Sequence, residues 1–393
     1  MAVEEIVLQN TPFSYTYSGP YKLGIDVANH YGFRLITPVR GNSTLRNKIG
    51  KRHKGHKEFY IDPIHKILIQ NHVMGLDTPK GTQHMICHTR NPKKKDAGGI
   101  SLHIIGNTKG IAEALSIQTA LSVLNEYGHK NLTIEINSLG DRASHKIFTK
   151  ELLQHYRKHI TVIGDCCRTA MKNNPLEVST CENENCLAVR KEAPRPIDYL
   201  SETGREHFKN IIEYLESLNT IYKINNDLMG ESPENGTQIS FIIREIKDKD
   251  TSVIVARGER YNRCLVNNQI HRVSPSVSVS IDIQESGKEI YREPVALQPL
   301  IYLVHLGIEA KRSSLEIIEL FRQKNIRIAQ SLVYDDLAKQ IKQAEHIQTE
   351  YMIIIGLKEA RERAVIVRNT HTRAQEIVPF NDLLKYIKRI HRL

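Results

Sequence analysis

With 393 residues, 40% hydrophobic and 25% charged, the chain has room for two or three domains with true cores. It is neither a disordered polyelectrolyte nor a small disulfide scaffold, although it carries six cysteines. No apolar run approaches the roughly 20 residues that span a bilayer. The opening MAVEEIVLQNTPFSYTYSG lacks a basic segment followed by an apolar one, so a cytoplasmic protein is expected. The formal charge of +11 is unevenly placed: between Arg40 and Lys95 there are 13 Lys/Arg against 3 Asp/Glu, an excess of 10.

In chain order, residues 21–31 form a short amphipathic helix closed by Gly32, and 33–37 a strand ended by Pro38. An apolar run (Ile64, Ile67, Leu68, Ile69) lies in 58–70. Strands are expected at 84–88, 100–105 and 132–136, with a strong helix over 110–127. Asp141 is a good N-cap for a helix at 142–158. From Gly164 to Ile197 the pattern turns polar, cysteine-bearing and interrupted by Pro175, Pro194 and Pro196, which reads as a small irregular insertion. A helix at 202–218 follows, then strands at 221–225, 238–245, 251–256 and 276–283. Past a Pro/Gly-bearing stretch around 285–299 the pattern becomes a regular alternation. Strands fall at 300–306, 326–330, 351–355 and 363–367, and helices at 310–324, 335–345 and 381–390, as in a small α/β domain.

The basic stretch includes Lys48, Lys51, Arg52, Lys54, Lys57 and the cluster Lys93, Lys94, Lys95. Six histidines (His53, His56, His65, His72, His84, His88) are interleaved with it, and most of the chain's histidines are read as basic-surface residues. Such a patch suits a polyanion, because each phosphate contact releases condensed counterions. The plain alternative is a solvated loop that only aids solubility.

Several segments, in order, resemble histidyl-tRNA synthetases. Leu132–Gly140 is similar to the family's L-x-x-N-S-x-G strand and turn. Asp165-Cys166-Cys167-Arg168, Asn174-Pro175-Leu176 and Cys181 resemble its D-C-x-x-R…N-P-L…D-C insertion. Ala193-Pro194, Asp198-Tyr199-Leu200 and Arg205-Glu206-His207-Phe208 resemble A-P…D-Y-L…R-E-H-F. Residues 336–344 and 353–356 are similar to a helix and a strand of its anticodon-binding domain. The resemblance implies an α+β fold: a class II aminoacyl-tRNA-synthetase-like antiparallel sheet with helices, plus a C-terminal α/β anticodon-binding-like domain. The expected division is a core at 1–290 with an insertion at about 164–220, a linker at 291–299 and an end domain at 300–393. Residues 21–38 resemble class II motif 1, which implies a homodimer.

In that family, histidine activation places arginines around the reacting phosphate of ATP, where negative charge accumulates. Here His88 stands at the motif 2 arginine position, with Arg90 where a glutamate is implied, and Ile283 occupies the motif 3 arginine position. Met229-Gly230-Glu231-Ser232-Pro233 replaces R-G-L-D-Y-Y, and Ile61–Lys66 lacks the carboxylate of L-R-P-E-G-T. A neutral imidazole and an isoleucine cannot make the bidentate clamp. Arg90 and Arg257 are the two cations that could still be recruited there. One substrate-pocket remnant resembles A-G-G-R-Y-D, through Arg257, Gly258, Arg260 and Tyr261; packing of a hairpin is the competing explanation.

These losses imply a pseudo-synthetase that binds tRNA or related RNA and needs no cofactor. Phosphates would be held by the basic stretch and by Lys339, Lys342, Arg361, Arg363 and Arg368 of the end domain. One alternative is a divergent working histidine–tRNA ligase using ATP and Mg. Another is a regulatory subunit of ATP phosphoribosyltransferase, against which the missing histidine signature counts. Cys166, Cys167, Cys181 and Cys186 are read as buried thiols, with a structural zinc site as the alternative, because the spacing is loose.

Overall fold

The computed structural model describes residues 21–35, 83–90, 98–229, 238–248, 251–266, 269–283, 299–332 and 334–391. The apolar run at 64–69, Pro38, the Ile61–Lys66 loop, residues 230–233 and most of the linker lie outside them. Among the described residues no helix is long and apolar enough to cross a membrane.

The first elements are α1 (Lys22–His30), β1 (Arg34–Leu35), β2 (His84–Arg90) and β3 (Gly99–Ile105). They are followed by α2 (Ile111–Glu126), β4 (Leu132–Ser138) and α3 (Arg142–Lys158). After the insertion come α6 (Glu202–Ser217), β5 (Tyr222–Ile224), β6 (Ile239–Ile246), β7 (Ser252–Val266) and β8 (Gln269–Asp282). The eight strands form one sheet in the order β1-β2-β3-β8-β7-β6-β4-β5. Only the two outermost pairs are parallel. The reason is plain in β8, where Ser276, Ser278, Ser280 and Asp282 alternate with Val277, Val279, Ile281 and Ile283. The apolar set is buried, leaving the serines and the aspartate on the other face. Strands β7 and β8 run well beyond the segments expected at 251–256 and 276–283. Their far halves lack a clean alternation, and pairing with each other supplies what local pattern does not.

Helix α2 lies against the apolar face. Nearly every residue from Ile111 to Leu124 is buried, because the helix is covered by the sheet on one side and by the end domain on the other. Asp141 caps α3 as expected, accepting from the Ser144 N–H at 2.9 Å. Its second oxygen accepts from the Ser201 hydroxyl at 2.7 Å, and Ser201 in turn caps α6.

The cysteine-bearing insertion is not irregular. It folds into α4 (Asp165–Asn173), a 3₁₀ turn at Pro175–Thr180, α5 (Glu184–Lys191) and a second 3₁₀ turn at Pro196–Tyr199. Two of the three prolines that suggested irregular chain, Pro175 and Pro196, open the two 3₁₀ turns, where a missing N–H does no harm. Phe148, Leu152, Tyr156, Leu176, Val178 and the thiols make a small separate core beneath it.

The end domain contains β9 (Ile301–His305), α7 (Ile308–Gln323), β10 (Ile328–Gln330) and α8 (Leu337–Ile347). It continues with β11 (Tyr351–Ile355), α9 (Leu357–Glu362), β12 (Ala364–Asn369), β13 (Gln375–Pro379) and α10 (Phe380–His391). The sheet order is β10-β9-β11-β12-β13. Two elements had no expectation behind them. Strand β13 carries four exposed or half-exposed residues in five, and α9 buries none, so neither shows a hydrophobic period. Helix α7 docks on the core. Glu319 meets Tyr31 and Ser122, Arg322 pairs with Glu126 at 2.9 Å, and His30 bonds Asn325 at 3.0 Å. Helix α1, read as a dimer-building unit, thus uses much of its surface inside the chain, against α2 and α7.

Candidate functional site

The polar face of the large sheet is organised in rows by strand pairing. His88 of β2 lies beside Ser101, which pairs with Ser280 and then Arg257; Arg90 lies beside Gly99, which pairs with Asp282. The Arg90 guanidinium donates to the Asp282 carboxylate at 2.7 Å and to the Ile281 carbonyl at 2.8 Å. Arg257 approaches the other oxygen of Asp282 at 3.5 Å. Two guanidinium groups therefore do converge at this end of the face, and a carboxylate of the chain itself sits between them. Gly99 makes this approach feasible: a Cβ there would lie 1.9 Å from the Ile281 carbonyl oxygen and 3.0 Å from the Arg90 guanidinium. Gly99 is thus a strand residue with a packing reason.

One row along, His88 is 2% exposed and stacks on His103, with ring centroids 5.3 Å apart and planes within 4°. His103 Nδ1 lies 2.8 Å from the Ser278 hydroxyl, which Tyr261 approaches at 3.4 Å. His88 is therefore an exception to the surface reading given to most of the histidines. Burial in a sheet face, invisible from local charge, overrides it. His84 is half-buried too, and its imidazole is shifted below the usual range by burial and by Arg34. Ile283 is 1% exposed and faces the apolar side.

A family model described as an anticodon binding domain matches residues 301–390. The histidine–tRNA ligase of Caldicellulosiruptor bescii is 24% identical over 312 residues, covering 77% of this chain and 72% of its own length. That of Halothermothrix orenii is 26% identical over 295 residues, or 74% and 70%. Among solved structures, apo histidyl-tRNA synthetase from S. aureus is similar with a TM-score of 0.48 and 18% identity, over 93% of each chain. The chain is thus similar to histidine–tRNA ligases over about three quarters of its length, and residues 301–390 match an anticodon-binding domain.

For a histidyl-tRNA synthetase relative, the segment 257–261 is informative. It is an extended part of β7, so its residues alternate between faces. Arg257 and Tyr261 belong to the polar side, while Gly258 and Arg260 face the helices. A Cβ on Gly258 would lie 2.3–2.9 Å from atoms of the Phe241 ring. Arg260 is 1% exposed and makes a two-bond pair with Glu113 of α2. It donates further to the carbonyls of Asn107 at 2.7 Å and Lys109 at 3.1 Å. Burial alone would raise the Glu113 carboxyl, but Arg260 and then His207, at 2.9 Å, hold it down to about 2. Of the four remnant residues, Arg260 is thus a buried structural ion and no part of the polar face. Its isolated position in a strand gave no sign of a partner in a distant helix.

The implied phosphate contacts divide by position. Lys48, Lys51, Arg52, Lys54, Lys57, Lys93, Lys94 and Lys95 lie outside the described residues. In the end domain, Lys339 and Lys342 are exposed on α8, and Arg368 points to the same side of the sheet as Met352, where α8 packs. Arg361 is exposed on α9. Arg363 is exposed, pairs with Glu316 of α7 at 3.0 Å and lies over the Phe380 ring at 5.1 Å. Cys166, Cys167, Cys181 and Cys186 come together in the insertion.

Proposed function

We propose that this relative does not activate histidine and instead binds tRNA or a related RNA, as a homodimer in the cytoplasm. The observation that carries the first part is the Arg90–Asp282–Arg257 unit. An activating site needs fixed positive charge open to a phosphate. Here Asp282 accepts from the one guanidinium and pairs with the other, while His88 is stacked and buried and Ile283 is turned into the core. Binding of RNA is supported by the anticodon-binding match over 301–390 and by the local excess of positive charge between Arg40 and Lys95.

The experiment has two arms. ATP–pyrophosphate exchange with histidine is expected to be silent, and measurable exchange overturns the first half. Binding of bulk tRNA is expected to weaken roughly 40-fold between 50 and 200 mM salt if three phosphates are contacted. A flat affinity overturns the second half. One observation favours the rival reading of a divergent working ligase: Arg90 and Arg257 already lie together, so a rotation of Asp282 would open a two-guanidinium site. Histidine-dependent exchange that is lost in Arg90→Ala and Arg257→Ala would establish it.

A further inference from the structure

Four thiols, one exposed and three buried, are drawn together from three separate pieces of the insertion. Cys166 and Cys167 occupy the first turn of α4, Cys181 follows the first 3₁₀ turn, and Cys186 lies in the first turn of α5. Cys166 Sγ is 3.9 Å from Cys167 Sγ and 3.7 Å from Cys181 Sγ, and the three sulfurs all lie within 4.8 Å of one another. Cys186 completes the group on the side of Cys167, and its sulfur accepts the Gly164 N–H at 3.3 Å. We propose that these four cysteines form a structural zinc site that staples the insertion.

Three features support zinc over a cluster of inert thiols. A tetrahedral Zn–S₄ site with bonds of about 2.3 Å has sulfur–sulfur edges of about 3.8 Å, which the observed 3.7 and 3.9 Å bracket. Cys186 Sγ already accepts a backbone N–H, from Gly164 at 3.3 Å, the kind of outer hydrogen bond that orients a metal-ligating sulfur. The Tyr156 hydroxyl is buried beside Cys167 and Cys186 with no hydrogen-bond partner among the described residues, so it is placed to donate to a thiolate. The energetic need is local. The insertion's elements are no longer than nine residues, and its core is small and separate from the main one. Units of this size commonly need a metal or disulfide. Cys166 is exposed while the other three sulfurs are buried, which leaves one side open for the ion to reach the site.

The full-length protein, purified under reducing conditions without an affinity tag that binds metal, should carry about one zinc per chain by elemental analysis. Titration with a mercurial should release that zinc after about four thiols have reacted. Replacement by Co²⁺ should give the visible ligand-field bands of tetrahedral thiolate coordination. Cys181→Ser/Cys186→Ser should lose the metal, whereas Cys87→Ser, which alters a buried thiol of the large sheet, should keep it. The proposal is overturned by less than a tenth of a zinc per chain, by iron with a sulfide absorbance in its place, by disulfides among these four residues, or by metal retained in the double variant. If that variant does not fold, the thiol-coupled release from the unaltered protein decides.

Discussion

Replacing Arg260 by methionine tests whether the segment that looks like a substrate-pocket remnant is in truth part of the core. The change removes two bonds to Glu113 and one each to the carbonyls of Asn107 and Lys109. Among the described residues, Glu113, with no exposed surface, then keeps only His207 as a partner. Breaking a buried ion pair from one side costs about 3–5 kcal/mol, because the remaining charge stays desolvated. For a unit of this size each kcal/mol lowers Tm by roughly 2–4 °C, so a drop of about 6–20 °C is expected. The assay is urea and thermal unfolding followed by circular dichroism, on Arg260→Met, Glu113→Leu and the double variant. Removing both charges should recover most of the loss, giving a coupling energy of at least about 2 kcal/mol. A single variant within about 1 kcal/mol of the parent, or strictly additive effects, would refute the assignment and return Arg260 to the list of ligand-binding residues.

Asp282→Asn should strengthen binding of ATP or tripolyphosphate at low salt roughly ten-fold, by releasing Arg90 and Arg257 toward a phosphate; calorimetry showing no gain removes the screening role given to that carboxylate. Gly258→Ala should cost about 1–3 kcal/mol in urea unfolding, since the new methyl meets the fully buried Phe241 ring, and a neutral result would mean the ring has room to move. Acid should destabilise the protein well above the carboxylate range. Burial first, and Arg327 or Lys311 second, pull His30 and His305 from 6.5 down to about 4, so between those values the unfolded chain binds more protons than the native one. Stability should then fall by about 3 kcal/mol from pH 7 to pH 5, and His305→Gln should roughly halve that loss; a urea midpoint independent of pH counts against it. Lys339→Glu/Lys342→Glu should weaken tRNA binding and flatten its salt dependence, while Arg363→Ala should chiefly lower stability; filter binding and Tm in parallel separate the two roles.

Wherever a local rule suffices, the sequence by itself decided the structure. The serine/valine alternation of 276–283 specified a two-faced strand, Asp141 specified a helix start, and the order of apolar runs beyond residue 300 specified an α/β domain. The succession of motifs from 132 to 208 and from 336 to 356 also pointed to the histidine–tRNA ligases that the chain is similar to. Tertiary structure alone decided what the charged and sulfur-bearing residues do. Glu113 lies 147 residues from Arg260 in sequence, and Asp282 lies 192 from Arg90. Three of the four thiols come from helices, and the fourth from the end of a 3₁₀ turn, in a segment whose composition suggested irregular chain. Helix and strand periods depend on neighbours within a few positions. The partner of a buried charge or thiol depends on which strands and helices the topology lays side by side, and no local pattern records that.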